Sequence, residues 1–210
     1  THPADARALL RELAGSYLYR DLLGHKGIRK PELLEQLLRA LALQLGSEVS
    51  LNELAQLLRV DKATVGNYID LLEKAFIIFR LAPLKRNLRN EVATKRKVYF
   101  VDNGIRNAVI GNLDAFAMRN DQGALWENFL MSERRKLQAY SGWWGRAWFW
   151  RTTQQQEVDL VEEVDGKLHA FEFKLNPKAK ARIPVTFTKA YPDATTTIVH
   201  RGDLRGFLTA

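Results

Sequence analysis

The stretch EVDLVEEVDGKLHAFEFKL, residues 157–175, decides how the second half of the chain is read. In its first run Glu157, Asp159 and Val161 alternate with Val158 and Leu160, as on a half-buried strand. Val164-Asp165-Gly166 makes a turn. LHAFEFKL then places Phe171 and Phe173 on one face, and Ala170, Glu172 and Lys174 on the other. Across the turn Asp159 and Glu172 can converge, with Lys174 two residues further along the same face as Glu172. Working outward, Ala147–Arg151 predicts a preceding strand that completes an antiparallel meander. VTFTKAY, between Pro184 and Pro192, predicts a short helix leading to a last strand at Thr195–His200, an order that implies a right-handed crossover and a parallel pair. Upstream, ALWENFLMSERRKLQAY predicts a helix packed through Trp126, Phe129, Leu130 and Leu137, and it brings Glu127 towards the same point.

The first half is helical. In PELLEQLLRALALQLG, Leu34, Leu37, Leu38, Leu41 and Leu45 recur at helical spacing between Pro31 and Gly46. Ser50 with Glu53 forms a capping-box pattern for a helix over about Leu51–Leu58, and Arg59 and Val60 make the turn. Asp61 caps a third helix whose apolar stripe is Val65, Tyr68, Ile69, Leu72 and Phe76. This is a helix-turn-helix, and FIIFRLAP and KVYFVD, joined by a basic segment, complete the pattern of a winged helix. One more helix, through Leu9, Leu10, Leu13, Tyr17, Leu18 and Leu22, is expected upstream. The change of periodicity near Asn112–Gly123 divides the chain into 1–112, helical with the winged helix-turn-helix, and 113–210, an α/β domain with a mixed sheet. The expected fold class is α+β.

Composition narrows the chemistry. The 210 residues carry 32 Lys+Arg against 24 Asp+Glu, a formal +8, with 46% hydrophobic residues and no cysteine. Those fractions argue against disorder, and the lack of Cys removes disulfides, cysteine nucleophiles and thiolate metal sites. No apolar run approaches the roughly 20 residues of a spanning helix and the start has no signal-peptide pattern, so a cytoplasmic protein without a membrane partner is expected. A start at Thr1 without Met suggests a piece of something longer. Between Arg80 and Lys97 lie seven basic residues and one acid, Glu91, so most of the positive excess sits there. Lys85, Arg86, Arg89, Lys95, Arg96 and Lys97 are therefore candidate phosphate contacts, with Lys62 and Asn67 on the third helix and Lys178, Lys180 and Arg182 after the acidic face. Asp70 and Glu73, exposed on the same helix, discourage approach to phosphates.

Two converging carboxylates suit a hard divalent cation such as Mg²⁺ or Mn²⁺, which polarises a phosphodiester and supplies an activated water, while a lysine stabilises developing negative charge. Glu157 is either a substitute ligand or an exposed strand residue. The bland alternative is a solvated face with a cross-strand ion pair. Trp143, Trp144, Trp148 and Trp150 are either core or base-stacking platforms. His2, His25, His169 and His200 are scattered, which argues against a histidine metal site, and Gly142 and Gly145 do not form a phosphate loop.

The order Asp, then Glu-x-Lys, with an acid on the preceding helix resembles the PD-(D/E)XK nuclease superfamily. GALWENFLMSERRKL, QEVDLVEE and HAFEFKLN resemble its Holliday junction resolvase-like and restriction endonuclease-like branch. More narrowly, SYLYRDL, the helix-turn-helix through FIIFRL, KVYFVDNGIRNAVIG, GALWENFL, EVDLV and FEFK occur in that order in a domain of unknown function at the C-terminus of AAA-type ATPases. The resemblance implies Asp159 and Glu172 as metal ligands, Lys174 as the catalytic lysine and Glu127 as the helical acid. Val158 stands where the superfamily's name has Pro. The resemblance further implies DNA as partner and an N-terminal ATPase module, with ATP bound only there, since this chain has no GxxxxGK[ST]. A homo-oligomer is compatible with the sequence. A second functional class is open, a non-catalytic binding or assembly module with an inactive nuclease fold.

Overall fold

A computed structural model describes residues 8–10, 12, 30–85, 95–178 and 181–209. Arg86, Arg89 and Lys180, and most of the helix expected through Leu9–Leu22, lie outside the described residues. The elements are α1 Pro31–Leu43, β1 Glu48–Val49, α2 Leu51–Leu58, α3 Lys62–Lys74, β2 Ile78–Pro83, β3 Arg96–Phe100, α4 Asn103–Val109, α5 Gln122–Tyr140, β4 Arg146–Arg151, β5 Glu157–Val164, β6 Lys167–Lys174, α6 Val185–Ala190, β7 Thr195–His200 and α7 Leu204–Thr209. The fold is α+β, and among the described residues seven strands form a mixed sheet in the order β1-β3-β2-β4-β5-β6-β7. Among the described residues no helix is long and apolar enough to cross a membrane.

The chain divides into two compact units, Thr1–Arg80 with Val98–Asn120, and Leu81–Lys97 with Asp121–Ala210. Residues 81–97, which the sequence pattern groups with the helical first half, thus belong to the second unit.

In the first unit, local chemistry and periodicity agree. Ser50 accepts from the Glu53 amide at 3.3 Å and Asp61 from the Thr64 amide at 2.8 Å, so α2 and α3 both start on their own caps. Leu34, Leu37, Leu41, Leu54, Val65, Ile69 and Leu72 are buried, as the apolar stripes require. Phe76 departs from its expected place in the α3 stripe. It is 75% exposed, because the helix stops at Lys74 and Phe76 takes a left-handed φ of 56°. The Phe76 amide donates to the Glu73 carbonyl and the Ile77 amide to the Leu72 carbonyl, the Schellman pattern with Phe at the position glycine usually takes. Helix α4, capped by Asp102, has no counterpart among the elements the sequence pattern predicts, and its Arg106 is buried with Nε donating to the Ala42 carbonyl at 2.8 Å.

In the second unit β4, β5 and β6 form the expected antiparallel meander, and β6 pairs with β7 in parallel. Strict alternation along β5 fails. Trp148 pairs with Val161 and Trp150 with Val158, two steps on β4 against three on β5, so β5 carries an extra residue between Val158 and Val161. Val158 and Val161 accordingly join one core cluster with Trp150, Ala170 and Phe187. The β-bulge falls at Asp159 and Leu160.

Candidate functional site

The bulge frees Asp159 from the ladder and re-aims it. Its Oδ2 accepts from the Phe173 amide of β6 at 2.7 Å, so a side-chain oxygen takes a position a strand carbonyl would otherwise fill. Glu172, next to Phe173, directs Oε1 to Lys174 Nζ at 2.7 Å, while its Oε2 is buried without a hydrogen-bond partner. Burial, and then the neighbouring charges of Glu127 and Glu172, push the Asp159 carboxyl up to about 8; Lys97 and the Phe173 amide oppose that shift. Burial pulls the Lys174 ammonium down, but the hydrogen bond and charge of Glu172, with Asp159 and Glu127, hold it above its ordinary value. The acids and lysine expected to meet on β5, β6 and the long helix α5 therefore share one electrostatic neighbourhood.

A further residue completes the cluster. Lys97, the second residue of β3, is 2% exposed, with Nζ 3.1 Å from Glu127 Oε1, paired also with Glu157 Oε1, and 5.5 Å from the Phe149 ring centroid. Burial disfavours its charge, yet Glu127, Glu157 and Asp159 more than offset that and hold its pKa above the usual lysine value. Glu157 also faces Arg151, whose Nε lies 3.5 Å from Oε2. The sequence pattern groups Lys97 with the basic loop as a DNA contact, whereas its side chain is buried among acids of the second unit. The available signal was its place at the head of the apolar run VYF, where a solvated lysine is out of character.

The other candidate contacts are dispersed. Lys62 and Asn67 are exposed on α3 in the first unit; Lys95 and Lys178 are exposed, and Lys85 and Arg96 partly buried, in the second. Asp70 and Glu73 both turn to Arg80, at 2.7 and 2.5 Å, so the acids that argued against phosphate on α3 carry a partner cation. Trp148 and Trp150 are core. Trp144 is 98% exposed but precedes the Arg146↔Glu163 end of the meander, while the acids gather at the Arg151↔Glu157 end. His200 pairs in register with Lys174, and its Nδ1 is buried without a partner.

Fitness for a cation rests on few donors. Among the described residues no group of three or more His, Asp or Glu side chains is disposed to hold a metal ion. Glu127 and Glu157 face Lys97, which leaves Asp159 and the orphaned Glu172 Oε2 as the carboxylate pair a hard divalent ion fits.

Residues 1–115 match the family model of a domain of unknown function, DUF8612. The chain belongs to that family. Residues 122–206 match a second, DUF4143, also a domain of unknown function, and the second matched segment begins with α5 at Gln122. An uncharacterized protein of Mycobacterium bovis and one of Mycobacterium tuberculosis are each 32% identical over 162 residues, 76% of this chain and 36% of theirs. An uncharacterized protein of Haemophilus influenzae is 25% identical over 112 residues, 51% of this chain and 28% of its own. This DUF8612 chain thus spans about a third of the length of the curated relatives it matches. No solved structure matches it.

Proposed function

We propose that the second unit is a nuclease-like module of the PD-(D/E)XK type that hydrolyses phosphodiesters in DNA with Mg²⁺ or Mn²⁺. The observation that carries this reading is Glu172 Oε2, a buried carboxylate oxygen without a partner, beside an Asp159 whose ionisation its surroundings oppose. A buried carboxylate oxygen left without a partner is costly, and a cation shared with Asp159 would satisfy it. Asp159 and Glu172 would hold the ion, which when bound supplies Lewis acidity to a phosphodiester and lowers the pKa of a water. The chain's own residues do the rest. The Phe173 amide fixes Asp159 in place, and Lys174 presents an ammonium, one-third exposed, to an incoming anionic oxygen. Lys178 follows as an exposed cation for the DNA backbone.

Along Pro31–Phe100 the order helix, short strand, two capped helices and two strands supports a winged helix that binds DNA through Lys62 and Asn67. The resemblance to the C-terminal domain of AAA-type ATPases supports an ATPase module placed before this chain in an intact protein, driving remodelling in the cytoplasm. The intact chain, incubated with branched DNA and Mn²⁺, is expected to nick it, and Glu172→Ala to abolish both nicking and Mn²⁺ binding. A folded chain that binds no Mn²⁺ and leaves DNA intact overturns the reading. The second reading, a non-catalytic binding or assembly module, is favoured by the pairing of Glu127 and Glu157 with Lys97, which leaves only two carboxylates for a metal.

A further inference from the structure

Lys97 does not belong to the Asp…Glu-x-Lys set, yet it is the most deeply buried cation of the cluster. It reaches the acids from β3, inside the segment matched by the first family, whereas Glu127 and Glu157 lie inside the segment matched by the second. Its ammonium sits against one oxygen of Glu127 and one of Glu157 and above the Phe149 ring, a cage that leaves a side chain 3% exposed. Held this way, the two glutamates cannot turn to a metal without stripping a buried ammonium of its partners, which is strongly unfavourable.

We propose that Lys97 stands in the place of a second cation, so that the cluster takes one divalent ion, between Asp159 and Glu172, and not two. The inference rests on the metal-binding reading above and deepens it. Charge balance points the same way. With Asp159 ionised, as a metal ligand must be, Glu127, Glu157, Asp159 and Glu172 face Lys97, Arg151 and Lys174, a set with one negative charge in excess. One divalent ion brings that set to a single positive charge; a second would leave three positive charges crowded in a half-buried site, which Coulomb repulsion at low effective dielectric opposes. Lys97 is on this account a positioning residue that acts through Glu127 and Glu157.

The test is calorimetric titration of Mn²⁺ into the full chain, its Lys97→Ala variant and its Lys97→Arg variant. One ion is expected in the wild type and in Lys97→Arg, and two in Lys97→Ala, where the glutamates are released and the ammonium's space is open. Two ions in the wild type, or one in Lys97→Ala, overturn the proposal. A wild type that takes none while Lys97→Ala takes one supports the role of Lys97 and sinks Asp159 and Glu172 as a metal site; no binding in either protein sinks both. If Lys97→Ala melts too low for titration, Mn²⁺ must raise its melting temperature by more than it raises that of the wild type, and an equal or smaller gain overturns the proposal.

Discussion

The Phe173 amide donates to Asp159 Oδ2 at 2.7 Å across the point where β5 slips one residue against β4. The bulge and this bond hold a carboxylate whose proton affinity is raised by burial and by Glu127 and Glu172. Because the folded value is raised from 3.8 to about 8, the folded metal-free chain retains a proton that the unfolded chain loses across that window. Stability therefore falls as pH rises between those values. Asp159→Asn removes the titration and keeps an oxygen for the Phe173 amide. In urea denaturation with chelator present, the variant should match the wild type near pH 4 and exceed it at pH 8 by about 1–3 kcal/mol. A constant difference across pH would show that the carboxyl does not carry the effect.

Arg134 of α5 holds Glu162 of β5 with Nε at 3.0 Å and Nη2 at 2.9 Å, and donates Nη1 to the Phe207 carbonyl of α7 at 2.7 Å. Glu162 is 1% exposed. Arg134→Met leaves that carboxylate buried with only Gln138 to donate to it, and should cost about 3–5 kcal/mol. The double variant Arg134→Met, Glu162→Met should recover most of the loss. Additive losses in the cycle would contradict a coupled pair.

Arg80 joins Asp70 and Glu73 of α3, with side chains of the three between 22% and 51% exposed. Arg80→Ala should cost only about 1 kcal/mol in stability, since partly exposed pairs are screened. Its larger effect should be on DNA, because two carboxylates then face outward from α3. Affinity for duplex DNA at low salt should drop about tenfold, and an unchanged affinity would remove α3 from the DNA interface.

These relationships mark what the sequence made legible. Ser50, Asp61 and the leucines of α1 announce their helices because caps and 3.6-residue spacing act over a few residues. Asp159, Glu172 and Lys174 are legible as a set because a two-stranded turn brings them together. The bulge at Asp159 is not, since an inserted residue leaves no compositional trace and is visible only as a slip in pairing. Lys97 stays hidden for another reason: its partners Glu127 and Glu157 lie in other elements, and a run of basic residues looks alike whether one member is solvated or buried.

Phe76 carries backbone strain at the end of α3. A non-glycine residue in the left-handed region costs roughly 1–2 kcal/mol, and this ring, 75% exposed, recovers little by packing. Phe76→Gly should raise stability by about 1 kcal/mol, read as a higher urea midpoint with the same slope. A lower midpoint would mean that the ring makes contacts worth more than the strain.

The order in which the two units' pieces occur along the chain has a consequence for synthesis. Leu81–Lys97, the first piece of the second unit, is translated before Val98–Asn120, the last piece of the first. Lys97 leaves the ribosome 30 residues ahead of Glu127, with Glu157 later still. Its ammonium is hydrated while the helical half is completed, and it is desolvated only when α5 and then β5 arrive. The second unit therefore closes after the first has been fully made, with a lysine already waiting as the counter-ion for acids not yet translated.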